Sequence, residues 1–140
     1  MFNHVLIPTD GSALSTEAAI KGIEFAKSQG ARATSLMVIE PVGGGGLSES
    51  ARSDFESSVE AQADAVLAAV AVRAKTAGVE LATQKTRGDD PHAAIIAAAE
   101  AQGCDVIAMG SHGRSGATAM LGSQTLKVLT HSKIPVLVFR

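Results

Sequence analysis

The chain has 140 residues, a formal net charge of −2 and a hydrophobic fraction of 46%. These values predict one globular domain spanning residues 1–140. The near-zero charge and the absence of Trp and Tyr disfavour a nucleic-acid partner, because such proteins need a basic surface or stacking side chains. No apolar run approaches the roughly 20 residues needed to cross a bilayer, so no membrane partner is expected.

Cysteine use and the first residues predict the cellular location. The single cysteine, Cys104, cannot form an internal disulfide, which favours a reducing compartment. The segment from Met1 to Val5 lacks the basic and then apolar pattern of a secretory signal. The sequence therefore predicts a cytoplasmic protein.

The hydrophobic pattern predicts strands and helices in strict alternation. In chain order they are a strand from Phe2 to Pro8, a helix from Ala13 to about Gln29, a strand from Ala33 to Ile39, a helix within Leu47 to Ala77, a strand from Val79 to Thr86, a helix from His92 to Ala101, a strand from Cys104 to Met109, a helix from Gly122 to His131 and a strand from Ile134 to Phe139. Three glycines, Gly30, Gly78 and Gly103, are predicted to end helices. The run from Gly43 to Gly46 predicts a loop.

This alternation predicts the fold class. Strands separated by helices need crossover connections, which give a parallel sheet with helices on both faces. If the first and fourth strands are neighbours, the strand order is 3-2-1-4-5. The prediction is an α/β fold, a doubly wound, Rossmann-like sheet of five parallel strands.

Two loops at the predicted carboxyl ends of strands are candidates for a ligand site, because open α/β sheets bind ligands there. They run from Pro8 to Ser12 and from Gly110 to Gly116. In the second loop, glycines permit positive φ and close backbone approach to a ligand. The Gly122-Ser123 pair then opens a helix whose N–H groups and dipole favour phosphate. Hydroxyl groups of Ser123 and Thr125 and the charge of Arg114 would add to this site, and an ordinary glycine-rich surface loop is the alternative.

Five segments together resemble the universal stress protein family. They are V-L-I-P-T-D-G-S (Val5 to Ser12), G-D-D-P-H-A-A-I-I (Gly88 to Ile96), C-D-V-I-A-M-G-S-H-G-R-S-G (Cys104 to Gly116), L-G-S (Leu121 to Ser123) and P-V-L-V (Pro135 to Val138). The resemblance implies a doubly wound α/β fold, commonly dimeric, and the ATP-binding branch with its G-x2-G-x9-G-S/T pattern. Gly110, Gly113, Gly122 and Ser123 match that pattern, with eight residues instead of nine between Gly113 and Gly122.

The resemblance also implies which residues bind ATP. The adenosine end would contact Pro8, Thr9 and Asp10, with Val38 or Ile39 and Met109 beside the base. The ribose and phosphates would contact Gly110, Gly113, Gly122, Ser123 and Thr125, and the predicted site also includes Ser111, His112, Arg114 and Gln124. ATP would arrive with Mg²⁺ or Mn²⁺, and Asp10 would either contact that ion or hydrogen-bond the nucleoside. For His112, a hydrogen-bonding role is favoured over acid–base chemistry.

Three functions remain open from the sequence. The first is an ATP-binding regulatory or protective module of a stress response. The second, suggested by the shorter glycine loop, is a dimeric stress-associated interaction protein without tight ATP binding. The third is a slow metal-dependent ATPase in which Asp10 and the metal position water, although no catalytic residue is assigned because no committed base is visible.

The last predicted strand, Ile134 to Phe139, is apolar on both faces. An edge strand of this kind is a template for pairing with another chain. The family resemblance implies that it pairs with its equivalent in a second subunit, forming a homodimer. The alternative is that helices cover both faces while the edge remains solvated.

Overall fold

A computed structural model describes residues 1–41, 45–112 and 121–140. Strands and helices alternate along these residues in the predicted order. They are β1 His4–Pro8, α1 Ala13–Gln29, β2 Arg32–Ile39, α2 Glu49–Ala77, β3 Leu81–Arg87, α3 Pro91–Gln102, β4 Val106–Gly110, α4 Ser123–His131 and β5 Val136–Phe139. Among the residues described, no helix is both long enough and apolar enough to cross a membrane.

The strands form one parallel sheet in the order β3-β2-β1-β4-β5, which confirms the predicted fold and strand order. The central strand β1 pairs with β2, where Pro8 lies opposite Leu36, and with β4, where Leu6 lies opposite Ile107. Beyond Leu36, β2 continues to Ile39. It therefore extends past the end of β1 and forms a wall beside it.

Helices cover both faces of the sheet, so the side chains of β1 are buried alternately on one face and on the other. Val5 and Ile7 belong to a cluster that contains residues of α1 and α2. Leu6 belongs to the opposite cluster, with Ile95 of α3 and Val128 of α4. Each fully buried aliphatic side chain of this kind contributes roughly 1.5–3 kcal/mol to folding.

The helix ends follow local capping rules. Ser12 caps α1, because its side chain accepts a hydrogen bond from the N–H of Ser15 at 3.2 Å. Gly30, Gly78 and Gly103 end α1, α2 and α3 with φ of 64°, 77° and 71°, as predicted. These left-handed conformations cost glycine little, because it has no Cβ.

Backbone and side-chain hydrogen bonds close the amino end of the sheet. The carboxylate of Asp105 accepts hydrogen bonds from the N–H groups of Asn3 and His4 at 2.8 and 3.0 Å. Desolvation raises the pKa of Asp105, but these hydrogen bonds outweigh it and leave the pKa below its usual value. Burial and the nearby Arg32 lower the pKa of His4, whose Nε2 lies 2.7 Å from Thr34 Oγ1.

Cys104 is a buried core residue next to this end of the sheet. Burial, assisted by the negative charge of Asp105, raises the pKa of its thiol to about 11. The thiol is therefore protonated at neutral pH and is a poor nucleophile.

Candidate functional site

The strand order creates a crevice at the carboxyl ends of β1 and β4. These strands are neighbours, but α1 and α4, which follow them, lie on opposite faces of the sheet. The two chain segments therefore separate above the sheet and leave a gap between them. Ligands of open α/β proteins bind at such switch points.

A cleft of about 250 Å³ occupies this gap. That volume is close to the lower end of the roughly 300–1,000 Å³ typical of small-molecule pockets. Its lining comprises Pro8, Thr9, Asp10, Ser15, Leu36, Val38, Glu40, Pro91, Ile95, Met109, Gly110, His112, Gly122, Ser123, Gln124 and Thr125. The cleft thus spans the ends of β2, β1 and β4 and the first turns of α3 and α4.

The turn after β1 is held by its own side chains. Thr9 Oγ1 lies 2.9 Å from Ser15 Oγ, and Ser15 Oγ also accepts a hydrogen bond from the N–H of Asp10 at 3.2 Å. Asp10 Oδ1 accepts a hydrogen bond from the N–H of Ser12 at 2.9 Å. Gly11 completes the turn with a φ of 82°. These contacts fix the carboxylate of Asp10 at the edge of the cleft.

The other side of the cleft is the junction between β4 and α4. The N–H of Gly122 donates to the carbonyl of Ser111 at 2.7 Å, and the hydroxyl of Thr125 donates to the carbonyl of Gly110 at 2.8 Å. Thr125 is buried, and its hydrogen bond to Gly110 joins the first turn of α4 to the end of β4. With its hydrogen used in this way, the hydroxyl of Thr125 has only its oxygen left to offer a ligand, as an acceptor.

The first turn of α4 presents backbone N–H groups to the cleft. Gly122 is the N-cap and has no side chain to cap the helix. In the described part of the chain, the N–H groups of Ser123, Gln124 and Thr125 do not donate to another residue. Unpaired N–H groups and the helix dipole at this end attract anions.

Packing constrains one of the predicted site glycines. Gly110 and Gly122 do not have positive φ. A Cβ on Gly110 would lie 3.1 Å from the Cβ of Ala18 in α1, tighter than normal contact. Close packing between β4 and α1 therefore explains this glycine without reference to a ligand.

An apolar wall lies at the β2 side of the cleft. Leu36, Val38, Ile95 and Met109 line it and pack in one cluster on the α3 and α4 face. Ile39 does not join them, because strand side chains alternate in direction and Ile39 packs against α2 on the opposite face. Of the residues expected beside a base, Val38 and Met109 line the cleft and Ile39 does not.

Gln124 connects the first turns of two helices. Its Oε1 accepts a hydrogen bond from the N–H of His92 in α3 at 3.0 Å. Asp90 occupies the N-cap position of α3 but makes no side-chain cap bond. Its Oδ1 instead lies 2.6 Å from Nδ1 of His92. Gln124 therefore supplies the acceptor that Asp90 does not.

The remaining predicted site residues have different positions. His112 lines the cleft, and its Nδ1 lies 3.0 Å from the hydroxyl of Ser111. Ser111 itself is buried and lines a neighbouring cavity beside α1. Gly113 and Arg114 lie outside the described residues, as do Gly43 and Gly44 of the predicted glycine loop.

Five lining residues were not predicted from the sequence: Ser15, Leu36, Glu40, Pro91 and Ile95. A signal for two of them was present, because Leu36, Val38 and Glu40 have the spacing of one strand face. Their common direction becomes clear only when the opposite face of β2 is seen to pack against α2.

The carboxylates of the cleft do not form a metal centre by themselves. Among the described residues, no group of three or more His, Cys, Asp or Glu side chains is arranged to hold a metal ion. Asp10 and Glu40 are the acidic residues of the cleft lining. A single carboxylate such as that of Asp10 holds a magnesium-type ion only if the ligand supplies further oxygens, as nucleotide phosphates do.

The fold defines an open, doubly wound α/β protein with a cleft at its switch point. The universal stress protein family model matches residues 1–140, and the chain belongs to that family. It is similar to universal stress protein MJ0531 of Methanocaldococcus jannaschii, with 30% identity over 142 residues that cover 100% of this chain and 83% of the relative.

Solved structures share the fold. One is a universal stress protein in complex with cAMP, with a TM-score of 0.76 and 24% identity, covering 99% of this chain and 97% of that chain. Another is the universal stress protein of Archaeoglobus fulgidus in complex with dAMP, with a TM-score of 0.71 and 17% identity, covering 100% and 98%.

Proposed function

We propose that this protein is an ATP-binding regulatory or protective module of a stress response. The observation that carries this proposal is the arrangement of the cleft, in which an apolar wall faces the uncapped first turn of α4. A purine is flat and apolar on its faces, and its phosphates are anions. The two parts of the cleft match these two parts of a nucleotide.

Relatives support an adenine nucleotide as the ligand class. Two structures with this fold are complexes with cAMP and dAMP. In this chain, the base would lie against Val38 and Met109, and the phosphates would meet the N–H groups at Ser123 and Gln124. ATP is our specific proposal within that class.

A divalent cation would accompany the nucleotide. We propose that Asp10 contacts Mg²⁺ or Mn²⁺, with phosphate oxygens and water completing the coordination. The ion would supply positive charge to neutralise the phosphates. Asp10 is held by the N–H of Ser12, so it is oriented before the ligand arrives.

The helix N-terminus gives the sharpest test of ATP binding. In Gly122→Asp, the new carboxylate would cap α4 and place negative charge where the phosphates bind. Because Gly122 has a φ of −62°, its backbone conformation does not require glycine, and we expect an unchanged or higher melting temperature. ATP affinity, measured by calorimetric titration, should fall about tenfold or more.

The matched control is Gly122→Ser, which adds a cap without a charge. It should keep ATP affinity within a few-fold of the unmodified protein. The unmodified protein should also release nucleotide when denatured with acid. Failure to release nucleotide, together with no ATP binding at millimolar concentration, would contradict the proposal and favour the interaction protein without tight ATP binding.

We further propose that the protein is a homodimer formed through the segment from Ile134 to Phe139. Within the described residues, β5 pairs only with β4. The carbonyls of Pro135 and Phe139 accept hydrogen bonds from β4 and the residue after it. The alternate N–H groups, at Val136 and Val138, therefore face the open edge.

Proline substitution tests which edge forms the dimer. Val138→Pro removes an N–H from the β5 edge without removing a bond to β4, and we expect a monomer in sedimentation velocity. Thr83→Pro is the matched change on β3, the other outer strand, and should leave the dimer intact. A dimer that survives Val138→Pro would contradict this assignment.

A further inference from the structure

Glu40 is an acidic side chain at the outer end of the apolar wall. It follows the last residue of β2 and is exposed. Side chains of a strand alternate, and Glu40 lines the cleft together with Leu36 and Val38. Its carboxylate makes no hydrogen bond or ion pair with any other residue in the described ranges 1–41, 45–112 and 121–140.

The position of Glu40 in the sheet fixes which part of a nucleotide it meets. The first turn of α4 is tied to the end of β4 through Gly110 and Ser111. Glu40 lies at the end of β2, and β1 separates β2 from β4. Neighbouring strands are about 4.8 Å apart, so the two ends of the cleft are about 10 Å apart across the sheet.

A nucleotide has its phosphates, ribose and base in linear order. With the phosphates at α4 and the base against Val38, the outer edge of the base is the part nearest Glu40. A carboxylate only accepts hydrogen bonds at neutral pH. It therefore favours a base with a hydrogen-bond donor on that edge, and the exocyclic amino group of adenine is such a donor.

We propose that Glu40 is a specificity-determining residue that accepts a hydrogen bond from the exocyclic amino group of the bound purine. This inference rests on the proposed nucleotide function and adds a residue that recognises the base. No covalent step is involved. The negative charge also disfavours binding in the reverse direction, with phosphates at the β2 end.

The test compares two ligands that differ only in that amino group: ATP and purine riboside triphosphate. The unmodified protein should bind ATP about tenfold or more tightly than the analogue, as expected for a hydrogen bond to a charged group. In Glu40→Ala the affinity ratio should fall to about one. Glu40→Gln, whose amide oxygen still accepts, should keep part of the preference.

The experiment compares the ratio of the two affinities, because losing the negative charge of Glu40 changes the affinity for both triphosphates in the same direction. Glu24→Ala, an exposed position on α1 outside the cleft lining, is the control and should keep the full ratio. If ATP binds and Glu40→Ala retains the preference, this inference is overturned while the proposed function stands. If the unmodified protein binds neither triphosphate, both are overturned.

Discussion

The two ends of the sheet use their polar groups differently. At the amino end, the carboxylate of Asp105 is saturated by backbone N–H groups of β1 and of the residue before it, and three helices end there in glycine caps. At the carboxyl end, α4 begins without a side-chain cap, and Glu40 makes no polar contact with other described residues. The amino end is closed by its own hydrogen bonds, whereas the carboxyl end leaves groups available to a ligand.

This contrast predicts that substitutions at the amino end change stability, whereas substitutions of open groups at the carboxyl end change ligand binding. A substitution at the amino end removes bonds that exist in the folded chain, so it should lower the free energy of unfolding. A substitution of an open group at the carboxyl end removes bonds that form only with a ligand. The following predictions test that division.

The largest effect is expected for Asp105→Ala. The change leaves the N–H groups of Asn3 and His4 without their acceptor, and we expect a loss of about 2 kcal/mol in the free energy of unfolding measured with urea. ATP affinity should stay within about twofold because the proposed site is at the other end of the sheet. Asp54→Ala, an exposed position on α2, is the control. A variant of normal stability with weakened ATP binding would refute the division.

A smaller effect is expected for Thr125→Val, within the carboxyl end itself. Val nearly matches the shape of Thr but cannot donate to the carbonyl of Gly110, and we expect a loss of about 1.5 kcal/mol in stability. Ser123→Ala, two residues earlier and exposed, should change stability by less than about 0.5 kcal/mol while weakening ATP binding. Equal losses of stability in Thr125→Val and Ser123→Ala would contradict this distinction between a structural and a ligand-binding residue in the first turn of α4.

The sequence predicted the fold well because its signals are local. Gly30, Gly78 and Gly103 mark the ends of three helices, where the chain takes a left-handed conformation. The strand order also follows from one assumption, that β1 and β4 are neighbours, which the sheet satisfies. Such features depend on backbone sterics and alternating hydrophobicity, both visible in one sequence.

The details of the cleft were harder to predict because they depend on contacts between distant segments. Val38 and Ile39 are both apolar, and only the packing of α2 shows that Ile39 faces away. Nothing in the sequence near Gln124 indicates that it bonds to His92, 32 residues away. Nothing in the sequence near Gly110 indicates that Ala18 of α1 also requires this residue to be small.

The smallest effect is expected from acidification, which tests the amino end without disrupting its packing. Since hydrogen bonds from Asn3 and His4 hold the pKa of Asp105 below its usual value, its carboxylate stabilises the fold above the unfolded pKa of about 3.9. That stabilisation is lost as the pH falls through the lower, folded pKa. Urea unfolding at pH 7, 5, 4 and 3 should show the unmodified protein losing more stability below pH 4 than Asp105→Asn, which has no carboxylate to protonate. The stability difference between the two proteins should therefore narrow toward pH 3, and a difference that stays constant with pH would mean that the charge of Asp105 contributes nothing to closing this end of the sheet.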